Sequence, residues 1–362
     1  MRLYFNLFIL TIDEQYMMRC LQLAKLGAGE VAPNPMVGAV LIFENKIIGE
    51  GYHQKYGGPH AEVNCINSVK EENKKLIERS SLYVSLEPCS HYGKTPPCSD
   101  LIIRNRIPKV IIGCQDIYKE VSGNGILKLR NAGVEVTSGI LENDCIGINK
   151  RFFTFHQKLR PYIILKWAQS INGIIGDKNK RILISNEYTN RLVHKWRSEE
   201  SAILVGTNTA LQDDPSLTVR LWQGKNPVRI VIDKNLKLES SLKVFNPDSK
   251  TIIYNLRKDA VKENLLYIKL REESFLIDLI SSLFENNIQS IMIEGGAKTL
   301  QSFINLGLWD EARITTNEKL TIENGISSPK LKDFALEKQE RYLSDIISYY
   351  YRNSALGQLT HL

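Results

Sequence analysis

Apolar residues recur along this chain with two periods, and the alternation between them marks its elements. Met17, Leu21 and Ala24 fall at helical spacing, which predicts a helix over 13–28 ending near Gly27 and Gly29. Val37–Phe43 and Lys46–Gly51 flank Glu44-Asn45 and read as a hairpin. Pro59 opens a helix that carries His60 and Glu62 and is expected to run to Lys75. Ser81–Leu86 reads as a strand, Pro96-Pro97 opens a helix through Arg104, and Val110–Cys114 is the next strand. A helix over Gly125–Asn131 then precedes a strand at Val134–Thr137. Strands that alternate with helices predict an α/β layered domain.

The pattern restarts after Pro161. Tyr162–Trp167, Ala202–Val205, Val228–Ile232, Thr251–Tyr254 and Ser290–Ile293 read as strands. Helices are expected over Asn186–Arg197, Ser274–Glu285 and Ala297–Leu306. That is a second α/β sheet with its own core. Between the two halves, residues 149–160 are polar and basic with three aromatics, and read as a linker that packs between domains. The expected organisation is an extension at 1–12, a first domain at 13–148, the linker, a second domain at 161–353 and a tail at 354–362.

Composition narrows the class. Hydrophobic residues make up 43% and charged residues 24%, which is globular rather than disordered. The charge is uneven: residues 1–150 carry a net +1 and the remainder a net +6. A mildly basic second half suits anionic small ligands. No Lys/Arg block accompanies it, which argues against nucleic acid as a partner. No stretch is long and apolar enough to span a membrane. Leu3–Leu10 could pass for a signal-peptide core, but it has no small-residue cleavage site and runs into Asp13-Glu14, so it reads as an extension. Six cysteines in so long a chain, all within the first 145 residues, suggest a reduced, cytoplasmic protein.

The chemistry concentrates in the first half. His60-Ala-Glu62 is followed by Pro88-Cys89 and then by Cys98. One His and two Cys hold three zinc positions and leave the fourth open, as a catalytic zinc needs for water. His60 and Cys98 each sit at a predicted helix start, where the helix dipole helps keep thiolates ionised. Glu62 is free to move protons. The set is that of a hydrolytic zinc deaminase. Two alternatives stand beside it: a structural zinc with His91 as fourth ligand, or two buried thiols without metal. Nucleic-acid deaminases use Cys-x-x-Cys. Here eight residues separate Cys89 from Cys98, and His91, Tyr92, Lys94 and Thr95 could line the rim.

The second half is less explicit. Glu294-Gly295-Gly296 before a helix could be an ordinary turn, Arg197 and Arg220 solvated surface charges, and Asp213-Asp214-Pro215 a helix stop.

Taken together, Ala32-Pro33-Asn34-Pro35-Met36-Val37-Gly38-Ala39-Val40, Gly58-Pro59-His60-Ala61-Glu62-Val63 and the run from Glu87-Pro88-Cys89 to Pro97-Cys98 closely resemble the bifunctional riboflavin-biosynthesis deaminase/reductases. Leu165–Ser170, Ile203–Thr209, Asp213–Arg220 and Ile293–Gly296 extend the resemblance over about residues 13–353. It implies an N-terminal cytidine-deaminase-like α/β/α domain and a C-terminal dihydrofolate-reductase-like α/β domain. The implied reactions are deamination of 2,5-diamino-6-ribosylamino-4(3H)-pyrimidinone 5′-phosphate at its 2-amino group, then NADPH-dependent reduction of the ribosyl chain to ribityl.

The resemblance also assigns residues. His60, Cys89 and Cys98 match zinc ligands, Glu62 the proton shuttle and Asn34 the deaminase pocket. Ala168, Thr209, Asp213 and the run Gly296, Ala297, Lys298, Thr299, Leu300, Gln301, Ser302 match the NADPH site. Arg197, Leu217, Arg220 and Glu294 match the substrate side, the two arginines as a phosphate clamp. Lys166 is a further polar partner at the reduced centre. A homo-oligomer, dimer or tetramer, is implied as well. Three stretches depart from the family pattern: Asn172 stands where Asp is usual, 177–183 is short and basic, and 116–120 replaces Asp-Pro-Asn-Pro.

Overall fold

The computed structural model describes residues 10–92, 96–118, 122–177 and 182–353. Lys94, Thr95, Lys119, Glu120 and residues 178–181 of the short basic stretch lie outside the described residues. The chain divides into two compact units between Gln157 and Lys158.

The first unit is built on strands β1 (Gly38–Phe43), β2 (Lys46–Tyr52), β3 (Ser81–Leu86), β4 (Lys109–Cys114) and β5 (Glu135–Ser138). Their order in the sheet is β2-β1-β3-β4-β5. β1 runs antiparallel to β2 and β3, while β3, β4 and β5 are parallel. Side chains alternate across the sheet. Ala39, Leu41, Leu82, Val84, Val110 and Ile112 meet helices α2 (Ala61–Asn67), α3 (Cys98–Arg104) and α4 (Asn124–Asn131) on one face. Val40, Ile42, Tyr83 and Ile111 meet α1 (Ile12–Ala24), α5 (Glu142–Ile148) and α6 (Lys150–Lys158) on the other.

Two local expectations are corrected here. The helix expected from Pro59 to Lys75 is α2 alone, followed by a 3-10 helix over Glu71–Arg79. The Ser68 hydroxyl explains the break: it donates to Cys65 O and accepts from Glu50 N–H, which ties the end of the helix to β2. The stretch read as a linker forms α6, with Phe152 and Phe153 in the core of the first unit. The three aromatics of this stretch make an apolar face that is worth more buried than exposed.

The second unit has a ten-stranded sheet. Its centre is seven parallel strands: β6 (Tyr162–Ser170), β8 (Ala202–Gly206), β9 (Val228–Ile232), β10 (Thr251–Asn255), β12 (Leu265–Lys269), β13 (Ser290–Ile293) and β14 (Glu311–Asn317). Antiparallel β11 (Ala260–Lys262) closes one edge, and β17 (Asp345–Arg352) with β16 (Phe334–Tyr342) the other. β7 (Ile174–Asp177) pairs separately with β15 (Gly325–Ser327). Helices α9 (Phe275–Glu285) and α10 (Ala297–Asn305) pack on the face bearing Ile163, Leu165 and Leu204. The opposite face, bearing Ile164, Ile203 and Val205, is covered by α7 (Glu187–Glu199) and by α8 (Thr207–Asp213). In such sheets the carboxyl ends of parallel strands are where ligands bind. Among the described residues, no helix is long and apolar enough to cross a membrane.

Candidate functional sites

His60 is not inside a helix. It caps the N-terminus of α2 with an extended backbone, φ −73° and ψ 168°, and its carbonyl accepts the first helical bond, from Asn64. Mid-helix, a pair two residues apart would point in different directions. With His60 outside and Glu62 in the first turn, both can serve one centre. A close approach sets the helix there: a Cβ at Gly51 would lie 2.2 Å from Cys65 N and 2.6 Å from Ala61 O. Cys98 opens α3, and Cys89 follows the end of β3.

The ligand atoms converge. His60 Nδ1 lies 3.6 Å from Cys89 Sγ and 3.4 Å from Cys98 Sγ, and all three ligand atoms are within 4.8 Å of one another. A tetrahedral zinc, with Zn–S about 2.3 Å and Zn–N about 2.0 Å, requires N···S edges of roughly 3.6 Å. The set fits. Among the described residues no fourth His, Cys or carboxylate joins it. His91, the candidate fourth ligand, instead has its ring 6.3 Å from that of Tyr118.

Charge in this cluster is strained in a way that a cation relieves. The Cys98 thiol, then His60, holds Cys89 down at about 4, against burial. Cys98 is pushed well up by the bond to Cys89 and by burial. The Cys89 partner raises His60. A single negative charge is thus accommodated, and a second thiolate needs a metal ion. Glu62 is buried, and burial raises it above the usual carboxylate range.

Asn34 lies beside a residue that the sequence reading passed over. Its Nδ2 is 3.1 Å from His53 Nε2, and His53 Nδ1 is 3.0 Å from Pro59 O. A carbonyl only accepts, so Nδ1 carries the proton and Nε2 accepts from Asn34. The Asn34 carbonyl is thereby left for other contacts. Burial lowers the pKa of His53, which keeps the ring neutral. A lone histidine after β2 gave no spacing signal by which to single it out.

In the second unit Thr209 and the run from Gly296 follow the carboxyl ends of β8 and β13, which are neighbours, while Ala168 lies within β6. Thr209 and Asp213 lie on α8, and Gly296 caps α10. A Cβ at Gly206 would stand 2.6 Å from Thr299 Oγ1, one at Gly295 3.1 Å from Thr299 Cβ, and one at Gly296 3.2 Å from Thr209 Oγ1. The bare backbone here forms a cradle at the start of a helix, which suits phosphates. It fits the pyrophosphate of a dinucleotide. Not all of the matched run faces it. Leu300 is in the core, Gln301 bonds Asn305 and Lys330, and Ser302 bonds back to Lys298 O.

The substrate-side residues meet on the α7 face. Arg197 donates to both Glu294 oxygens, at 2.8 and 2.9 Å, and to Thr218 O at 3.3 Å. Lys166 Nζ is 3.7 Å from the same carboxylate. Burial opposes the charge of Glu294, but Arg197 and then Lys166 outweigh it and hold the group at about 2. Burial lowers Lys166. The expected pair of clamp arginines therefore differs in kind: Arg197 is mostly covered, its side chain 12% exposed, in an ion pair, whereas Arg220 is exposed, with Nη1 3.2 Å from Thr218 Oγ1. His194, also passed over by the sequence reading, accepts the Arg220 N–H at 3.0 Å. The Leu217 side chain is in the core, so its backbone is what it can offer a ligand. Asn172 binds both the N–H and the C=O of Ile322, at 3.3 and 2.9 Å, which the aspartate usual there could not do.

A zinc-binding deaminase unit followed by a nucleotide-dependent reductase unit is the class that fold and sites define. The family model for the cytidine and deoxycytidylate deaminase zinc-binding region matches residues 10–114, and the RibD C-terminal domain matches residues 161–321. The riboflavin biosynthesis protein RibD of Aquifex aeolicus is 41% identical over 83% of this chain and 85% of its own length. That of Escherichia coli is 33% identical over 85% of this chain and 88% of its own. The crystal structure of a diaminohydroxyphosphoribosylaminopyrimidine deaminase/5-amino-6-(5-phosphoribosylamino)uracil reductase from Thermotoga maritima superposes with a TM-score of 0.85 at 35% identity, covering 94% of this chain and 99% of that one. The chain belongs to the RibD family: it is a bifunctional deaminase/reductase of riboflavin biosynthesis, with zinc and NADPH as cofactors.

Proposed function

We propose that the first unit hydrolyses the 2-amino group of 2,5-diamino-6-ribosylamino-4(3H)-pyrimidinone 5′-phosphate. The second then reduces the product, 5-amino-6-(5-phosphoribosylamino)uracil, to its ribitylamino form. The observation that carries this reading is the convergence of His60 Nδ1, Cys89 Sγ and Cys98 Sγ beside buried Glu62. His60, Cys89 and Cys98 hold the zinc, which when bound brings the pKa of a water towards about 7. Glu62 takes a proton from the attacking water and passes it to the departing amine, so that an oxygen replaces nitrogen on the ring and ammonia leaves. Asn34, oriented by His53, offers its carbonyl oxygen to the N–H groups of the pyrimidine.

In the second unit, NADPH supplies the hydride equivalent for reduction. The α10 start from Gly296 holds its phosphates, with Ala168, Thr209 and Asp213 beside the dinucleotide. Arg220 holds the substrate phosphate, Lys166 faces the reduced centre, and Arg197 fixes the charge of Glu294. The protein works as a homo-oligomer in the cytoplasm, a reading supported by family resemblance and by its six free cysteines.

The test follows ammonia release and NADPH oxidation separately on the diaminopyrimidinone ribotide. Ammonia should appear first, with NADPH consumed only afterwards. A zinc-loaded protein that releases no ammonia would refute the substrate.

A further inference from the structure

Glu87 directly follows β3 and immediately precedes Pro88 and the ligand Cys89. It is buried, and its carboxylate accepts four backbone N–H groups. Oε2 takes those of Asp116 at 3.2 Å and Gly123 at 3.0 Å, and Oε1 those of Gly125 at 2.9 Å and Ile126 at 3.1 Å. Four donors fill the lone-pair sites of a carboxylate, which leaves it no capacity for substrate or metal. The donors come from residues on both sides of the loop between β4 and α4. They are drawn tight against the ligand segment: a Cβ at Gly125 would stand 2.0 Å from Pro88 O and 3.1 Å from Glu87 Oε1. From the same loop, the Tyr118 N–H donates to Asp116 Oδ1 at 2.8 Å. The Tyr118 ring lies 6.3 Å from that of His91, which is on the Cys89–Cys98 connection.

We propose that Glu87 is a positioning residue of the deaminase. Its carboxylate gathers Asp116, Gly123 and the first turn of α4 onto Pro88-Cys89, and so shapes the wall beside His91 without touching substrate. The sheet does not need it for this: β3 and β4 are already joined by their own parallel ladder, which reaches Leu86 and Cys114. Replacing the carboxylate by an amide sets an NH2 against two backbone donors, so Asp116 and Gly123, or the first turn of α4, must move while the ladder stays.

The inference rests on the deaminase reading, and the experiment separates the two. Glu87→Gln and Gly125→Ala disturb the same contact from opposite sides in the full-length, zinc-loaded protein. Both should raise the deaminase KM by about tenfold or more with kcat within about threefold, because the pocket wall rather than the proton path has shifted. Zinc content and reduction of the deaminated substrate should stay unchanged, and Glu87→Asp should recover part of the KM. An unchanged KM in a folded Glu87→Gln protein would overturn the proposal. So would loss of zinc or of folding in both variants, which would make Glu87 a group that holds the fold. Wild-type ammonia release is the control: its absence would sink the deaminase reading and this inference with it.

Discussion

Single side chains here owe their chemistry to what the fold takes away from them. Glu62 is buried beside the His60, Cys89 and Cys98 trio, and the role proposed for it is that of a proton carrier. Glu62→Gln should therefore keep zinc while ammonia release falls by about 10²-fold or more, checked by metal analysis alongside the assay. The two arginines of the reductase half look equivalent in sequence and are not equivalent in place. Arg197→Ala leaves Glu294 without its bidentate partner, and should cost about 3–5 kcal/mol in urea unfolding of the reductase half. Arg220→Ala, at an exposed position, should leave stability unchanged and raise the reductase substrate KM.

Acid should find the same cluster. Burial, then Arg197 and Arg220, hold His194 at about 4, below its ordinary 6.5. The unfolded chain thus takes up this proton first, and stability falls as pH drops from 6.5 towards 4. Glu294, held at about 2 against an ordinary 4.5, contributes stability that is complete above 4.5 and lost as pH falls towards 2. The reductase half should lose thermal stability on both descents. In a His194→Gln protein the Tm should be flatter between pH 6.5 and 4; an identical slope would exclude His194 as the cause.

At the scale of elements, helix starts carry the function. His60, Cys98 and Gly296 each stand at one. Gly296 has an ordinary φ of −63°, so Gly296→Ala should fold. Its methyl would reach towards Thr209 and crowd the cradle, and NADPH affinity should drop by about tenfold with ammonia release untouched. A titration of NADPH binding decides it. Of the parallel strands, β12 and β14 were missed, while β3, β4, β6, β8, β9, β10 and β13 were legible because buried parallel strands are continuous apolar runs. β16 was not: Glu337, Lys338 and Gln339 are exposed and Glu340 is half-buried at the sheet edge, and nothing apolar marks them as a strand. α6 was hidden by its charges, since Lys150, Arg151 and Lys158 outweighed the phenylalanines when read as composition.

At the scale of the whole molecule, two units carry two chemistries, and a change confined to one should spare the other. Cys98→Ser should lose zinc and ammonia release, yet the same protein given the deaminated intermediate should oxidise NADPH at the wild-type rate. Retained zinc would remove Cys98 from the ligand set. Local patterning set the residue types of the zinc cluster, their order and the helix starts that present them, because prolines, glycines and short spacings act locally. It also determined that there are two α/β halves, since periodicity is written into each strand and helix. Tertiary structure alone decided which groups meet: the bidentate Arg197–Glu294 pair, the four N–H groups on Glu87 and the His53 that turns Asn34. These contacts join residues 19 to 97 positions apart. Their geometry is set by strand register and helix packing, which no local pattern records.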